Sequence, residues 1–188
     1  MGVFLGLAGE QWREGRTQRE NAMMSLRQLR SEVVTNRDAV QRVKDYHATT
    51  HSNLKAYLER DRKARQADAP SINGIQIVPF EHTAWDLALS TQAFGHIDPD
   101  LAFSLSRIYN TQQIAADLSR GITQAMYVRP PTENLDGFLA ALTLYYDDIV
   151  LVEPELLSMY EKVAPPHCNF DARRNIAVFK RNRSRASE

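Results

Sequence analysis

From Trp12 to about Arg65 the chain contains no proline and a single glycine, Gly15. Nothing in that stretch stops a helix. A seven-residue spacing runs through Trp12, Arg19, Leu26, Val33, Val40, His47 and Leu54. A second set, Ala22, Leu29, Asn36, Val43, Thr50 and Tyr57, stands three residues after the members from Arg19 onward. This a/d pattern predicts one long helix with a narrow seam for partner helices. At the usual rise it would be roughly 75–80 Å long. Leu26, Leu29, Val33, Val40 and Val43 are the apolar seam residues. Arg19, Asn36, His47 and Thr50 interrupt them, which suits a helix that meets its partners only partway or uses polar positions to fix register.

The next stretch breaks the pattern. Pro70, Asn73-Gly74 and Pro79 mark residues 64–80 as a loop, with a short extended piece at Ile75 to Val78. A short helix follows, with Ala84, Leu87, Ala88, Thr91 and Phe94 at helical spacing. Asp98 then reads as an N-cap and Pro99 as the first residue of another helix. Its face runs from Leu101 through Leu105, Ile108, Gln112, Ala115, Ser119 and Ile122 to Met126, before Pro130-Pro131. A last helix starts near Thr132 to Asn134. Its face carries Leu135, Phe138, Leu142, Tyr145, Ile149, Val152, Leu156, Tyr160 and Val163. The phase is kept across Pro154, which predicts a kinked helix rather than a terminated one.

The expected fold class is therefore all-α: a long N-terminal helix, or stalk, with about three shorter helices folding back as an antiparallel bundle. Residues 13–164 would form the bundle domain. Trp85, Tyr109 and Tyr145 are its expected core aromatics. Truncation of a core Trp85 to alanine would cost roughly 3–5 kcal/mol. Residues 165–188 form a basic tail with a short apolar island, Ile176 to Phe179.

Lys/Arg and Asp/Glu balance over the whole chain but not along it. Residues 1–65 carry a net +5, residues 66–170 a net −9 and residues 171–188 a net +4. Two arrangements fit: a basic helix lying on an acidic bundle, or basic ends facing anionic lipid or another acidic partner. One cysteine, Cys168, excludes an internal disulfide and a multi-cysteine zinc site.

Little in the sequence points to chemistry. His47 and His51 stand four apart on one helix, but no local third ligand completes a metal site, and a helix surface accounts for them better. The di-iron Glu-x-x-His motif is absent. His167-Cys168 is the loop setting of an incidental thiol. Asp147-Asp148, after Tyr145-Tyr146, reads as a surface acidic strip, since adjacent helical residues do not face one site. No phosphate-binding glycine loop or hydrolase motif occurs. The basic tail lacks the interleaved aromatics of a single-strand binder, so no nucleic acid is expected. The expectation is a non-enzymatic protein with no cofactor, no metal and no identified small-molecule ligand.

Three segments together resemble a known group. They are Glu10-Gln11-Trp12-Arg13, the Leu26-Arg27-Gln28-Leu29-Arg30-Ser31-Glu32 step, and the Thr83-Ala84-Trp85 helix followed by one with a tyrosine near Gln112. They are similar to bacterial membrane-anchored all-helical proteins of unknown function. In these, a single transmembrane helix runs without a break into a long charged helix and then a helical bundle. The likeness covers roughly residues 3–163. It implies location at the bacterial inner membrane and no catalytic residues.

No stretch of the sequence reaches the ~20 apolar residues needed for a span. Residues 1–12 are read as the remnant of one. Gly2, Gly6 and Gly9 amid Val3, Phe4, Leu5 and Leu7 suit a close-packing transmembrane face. Trp12, Arg13 and Arg16 suit a membrane interface, with lipid contact there. The alternative, if Met1 is the native start, is an apolar docking helix on a protein with no anchor. The functional expectation is a membrane-associated scaffold, adaptor or accessory subunit that binds a membrane protein or a second copy of itself. The rival is a ligand-sensing bundle with a small molecule near Trp85, Tyr109 and Tyr145, reporting through a partner protein.

Overall fold

The computed structural model describes residues 2–67, 70, 72, 74–128 and 134–165, and only the backbone of residues 2–12, 62, 66 and 67. The fold is all-α. Its elements are α1 (Gly2–Leu58), α2 (Arg62–Ala67), α3 (Thr83–Ser90), a 3-10 turn (Ala93–His96), α4 (Pro99–Val128) and α5 (Leu135–Val163).

The heptad seam of α1 is its buried face from Ala22 onward. Ala22, Leu26, Leu29, Val33, Asn36, Val40, His47, Thr50, Leu54 and Tyr57 are all buried. Val43 is half-buried, and Arg19 is exposed. α1 ends at Leu58, earlier than the proline-free run suggests. The Arg60 amide donates to the Tyr57 carbonyl at 3.2 Å, tightening the last turn, and α2 restarts with the Arg65 amide on the Asp61 carbonyl. The Tyr57 hydroxyl reaches the Arg65 carbonyl at 3.0 Å and ties α2 back to α1.

α4 starts as its sequence predicts. Asp98 Oδ1 accepts from the amides of Asp100 and Leu101 at 3.1 and 3.0 Å, satisfying two orphan donors of the first turn. α5 starts similarly, with Asn134 Oδ1 accepting from the Gly137 amide at 2.9 Å. A Cβ on Gly137 would lie 2.6 Å from the Asn134 side-chain nitrogen, so a larger residue there would displace the capping side chain. α5 continues through Pro154, which leaves the Val150 carbonyl without its usual helical donor.

The segment after the loop departs from the single helix expected. α3 is only eight residues long, and Gln92 takes a left-handed conformation with φ 55° before the 3-10 turn. The Ser90 and Thr91 hydroxyls both donate to the Leu87 carbonyl, occupying an acceptor at the helix end. The expected face is kept only in part: Ala88 is buried, whereas Leu87 is exposed. Residues 74–80 are irregular.

The residues expected to form one bundle, 13–164, distribute over two compact units. Among the described residues, unit 1 comprises 2–35, 81–107 and 161–165, and unit 2 comprises those within 36–80 and 108–160. Among its described residues, unit 1 buries Ala22, Leu26, Leu29 and Val33 of α1 together with Ala88, Ala93, Ile97 and Leu105. Unit 2 is a three-helix bundle in which α5 runs antiparallel to both α1 and α4. Its core joins Leu54, Tyr57, Ala115, Ile122, Leu139, Leu142, Tyr145, Tyr146 and Ile149. Ile72, Ile75 and Phe80 of the loop pack against that core.

Candidate functional site: a polar seam and an open groove in unit 2

The polar residues that interrupt the α1 seam become the most specific feature of unit 2. His47 and Glu153 are both almost wholly buried, and His47 Nδ1 lies 2.6 Å from Glu153 Oε1. His47 Nε2 lies 3.1 Å from the Gln76 carbonyl oxygen. That oxygen can only accept, so Nε2 carries a proton. One further proton then lies between Nδ1 and Oε1. Whichever atom holds it, the pair is neutral as a unit and both ring nitrogens are satisfied, which is what makes its burial tolerable.

The pair fixes two things. It sets the register of α5 against α1, and it fastens the loop to α1 through Gln76. The neighbouring Tyr46 hydroxyl reinforces the second contact by donating to the Gly74 carbonyl at 2.6 Å. Gly74 has φ +81°, a left-handed conformation in which glycine is unstrained. One turn further along α1, His51 Nε2 and Lys55 Nζ meet Asp147 Oδ1 at 2.6 and 2.9 Å. Lys55 first and then His51 hold the Asp147 carboxyl below the usual carboxylate range.

Three buried phenols surround this seam. Tyr160 accepts from Gln112 Nε2 at 2.8 Å, and the Tyr145 hydroxyl pairs with Ser119 Oγ at 3.2 Å. The Tyr146 ring packs against His47 at 5.5 Å and Tyr145 at 5.0 Å, and among the described residues its hydroxyl has no hydrogen-bond partner. Burial pushes all three phenols above the ordinary tyrosine value; at Tyr146 the neighbouring Tyr46 and Tyr145 add to it. Desolvation disfavours the phenolate, so each hydroxyl is held neutral.

On the surface of unit 2, α4 and α5 leave a groove of about 560 Å³ lined by Ile114, Leu118, Ile122, Ala125, Ala141 and Leu144, with Asp117 and Asp148 at its edge. Ile114 is 55% exposed and Leu144 67%. Leu151, one heptad beyond Leu144, is 73% exposed. A second hollow of about 460 Å³ lies between the loop and the end of α4, lined by Ile77, Val78, Arg120, Thr123, Tyr127 and Val128 among others.

The structure places the sequence-predicted residues as follows. Leu26, Leu29, Val33 and Val40 are buried and Val43 is half-buried. Tyr109 and Tyr145 are buried. Trp85 is a correction: it is half-buried and not in the bundle core, since it stands on the short α3 and its ring packs on Phe94 of the 3-10 turn at 4.9 Å. Arg13 and Arg16 are exposed, and Arg16 pairs with Glu20 at 3.0 Å on the same helix. The Trp12 side chain, Cys168 and the basic tail lie outside the described residues. Among the described residues no three His, Cys, Asp or Glu gather to hold a metal ion, and His47 and His51 pair with separate carboxylates. The surface strip expected at Asp147-Asp148 is half right, since Asp147 bridges to α1.

Sequence reasoning missed two carboxylates. Glu153 is in phase with Leu142, Tyr146, Ile149, Leu156 and Tyr160, so its place inside the bundle was readable from the helical period. Glu32 is 5% exposed in unit 1, where its oxygens accept from the α3 amides of Ala84 and Trp85 at 2.7 and 3.3 Å. No local signal marks that contact, which joins residues 52 and 53 positions apart.

Among the described residues no helix is long and apolar enough to cross a membrane. Compared with known proteins, the chain matches no protein-family model, no curated protein and no solved structure.

Proposed function

We propose that the protein is a non-enzymatic helical scaffold, an adaptor or accessory subunit of a membrane complex, and that it binds its partner through the α4/α5 groove of unit 2. The observation that carries this reading is the apolar stripe of Ile114, Leu144 and Leu151, exposed beside the α4/α5 groove. Contiguous exposed apolar surface of this kind favours association. A groove between two helices is the usual seat of a third amphipathic helix. Membrane association is supported by the apolar run of residues 2–9 followed by Trp12, Arg13 and Arg16.

Site-specific photo-crosslinking tests this. A photoreactive residue replaces Ile114 or Leu144 in the chain expressed from its own locus with the upstream sequence intact, and the fractions are then separated at alkaline pH. A discrete crosslinked polypeptide in the membrane fraction, lost when Leu151→Glu is added, is the expected result. Equal labelling at exposed polar positions such as Gln113 would remove the groove from the proposal, and recovery without membranes would remove the membrane from it.

A sensing alternative has one observation in its favour, at a place other than the expected Trp85, Tyr109 and Tyr145: the hollow beside Ile77 and Tyr127 with Arg120 at its wall. A reproducible, dose-dependent thermal shift with a small acidic metabolite, abolished by Arg120→Ala, would support it over the scaffold.

A further inference from the structure

The α4/α5 groove has an acidic edge, and the chain itself contains a segment of the opposite character. Asp148 lies at the edge, exposed, and makes no ion pair among the described residues. Asp117 is bridged by Arg120 of its own helix, and Glu155 is exposed two turns of α5 beyond Asp148. Residues 66–170, which include both groove helices, carry a net −9. Pro165 is the last described residue, and 23 residues follow it. Within them Ile176, Ala177, Val178 and Phe179 form an uninterrupted apolar run. Arg173 and Arg174 precede it, and Lys180, Arg181, Arg183 and Arg185 follow. An apolar run bracketed by cations matches an apolar floor with anions at its edge, in both pattern and sign.

Resting on the groove as an interaction surface, we propose that its occupant is residues 171–188 of a second copy of this chain, exchanged reciprocally in a two-fold dimer. Ile176 to Phe179 cover Ile114, Leu118 and Leu144, while the flanking cations face Asp148 and Asp117. A single short segment on one groove is a weak contact. Reciprocal exchange makes the second seating intramolecular once the first has formed, so the two together hold a dimer that neither would hold alone. The charged component is screened by salt, which makes the dimer salt-sensitive.

The test is sedimentation equilibrium of the full chain and two single-sided variants. Leu144→Glu disables the groove and leaves the segment intact; Phe179→Asp does the reverse. Leu144 is two-thirds exposed, so its substitution leaves the fold in place. Asp148→Lys, at a second exposed position, guards against an unforeseen folding defect. The full chain should dimerise, with its dissociation constant rising on the order of tenfold between low and high salt. Each variant alone should be monomeric, and an equimolar mixture of Leu144→Glu and Phe179→Asp, left with one intact seating, should associate far more weakly than the full chain but more than either variant alone. A monomeric full chain overturns the proposal, and so does a dimer indifferent to these substitutions. A monomeric full chain that still crosslinks to a different membrane polypeptide through Leu144 would sink the exchange while leaving the scaffold reading standing.

Discussion

Units 1 and 2 each bury a glutamate, and they satisfy it by different means. Glu32 in unit 1 receives backbone amides at the start of α3, which do not titrate. Glu153 in unit 2 meets the buried imidazole of His47, a side chain of another helix. The aromatic residues divide as cleanly. Both tryptophans fall in unit 1 and all seven tyrosines in unit 2. Tryptophan fluorescence and tyrosine absorbance therefore report the two units separately. The lesson is that burial of a carboxylate requires only a donor, and the kind of donor determines what perturbs the unit that contains it.

The largest expected effect comes from breaking the buried pair. Glu153→Ala leaves His47 without its partner inside the bundle and should cost about 3–5 kcal/mol, the range for truncating one member of a buried pair. Denaturant unfolding followed by tyrosine absorbance reads the loss. A cost within error of zero would mean that water reaches His47 and that the pair is not the fastening of α5 to α1.

Alkaline pH should strike the same unit. The folded pKa values of Tyr145, Tyr146 and Tyr160 are raised, so the unfolded chain releases these protons first. Stability is thus complete below the ordinary tyrosine value near 10 and falls as pH rises above it, by at most about 1.4 kcal/mol per pH unit for each phenol. The expected observation is that absorbance of these three phenolates develops together with loss of unit 2 helicity. Ionisation of all seven tyrosines with helicity intact would contradict it.

Glu32→Ala probes unit 1. It removes the acceptor for two amides and should cost about 2–3 kcal/mol, the range for hydrogen bonds to a charged group. Amide exchange should quicken in α3 while unit 2 amides keep their protection. Quickening spread evenly over both units would show that they unfold as one. Trp85→Ala should cost about 2 kcal/mol, roughly half the truncation of a fully buried aromatic, because the indole is only half-buried against Phe94. A cost in the full core range would mean that Trp85 is covered in solution.

The smallest effect belongs to Asp147, which is exposed enough for solvent to screen its pairing. Its lowered pKa means that its contribution is present above the ordinary carboxylate range and is lost as pH falls through the lowered value. The wild type should therefore lose slightly more melting temperature than Asp147→Asn between pH 5 and acid. Parallel acid profiles for the two proteins would show that the contacts to Lys55 and His51 contribute nothing measurable.

Local chemistry along the chain determined most of the secondary structure. The seven-residue spacing of α1 specified its buried face down to the polar positions Asn36, His47 and Thr50, because a helix turns each seventh residue to the same side. Asp98 and Pro99 specified where α4 begins, since an N-cap acts within three residues. The left-handed Gln92 was not legible, because nothing local compels a glutamine to take that conformation. Nor was the exposure of Leu87 or the half-burial of Trp85, since helical spacing does not say how much of a short helix its neighbours cover. The contacts that make the polar seam specific join residues 106 apart at His47 and Glu153 and 52 apart at Glu32 and Ala84. Helical period shows that such a residue faces inward but not which distant group it will meet. Only the packing of α1 with α4 and α5 decides that His47 finds a carboxylate and a carbonyl, and that the Ile114 and Leu144 face is left open, because side chains that far apart in sequence become neighbours only once the bundle has closed.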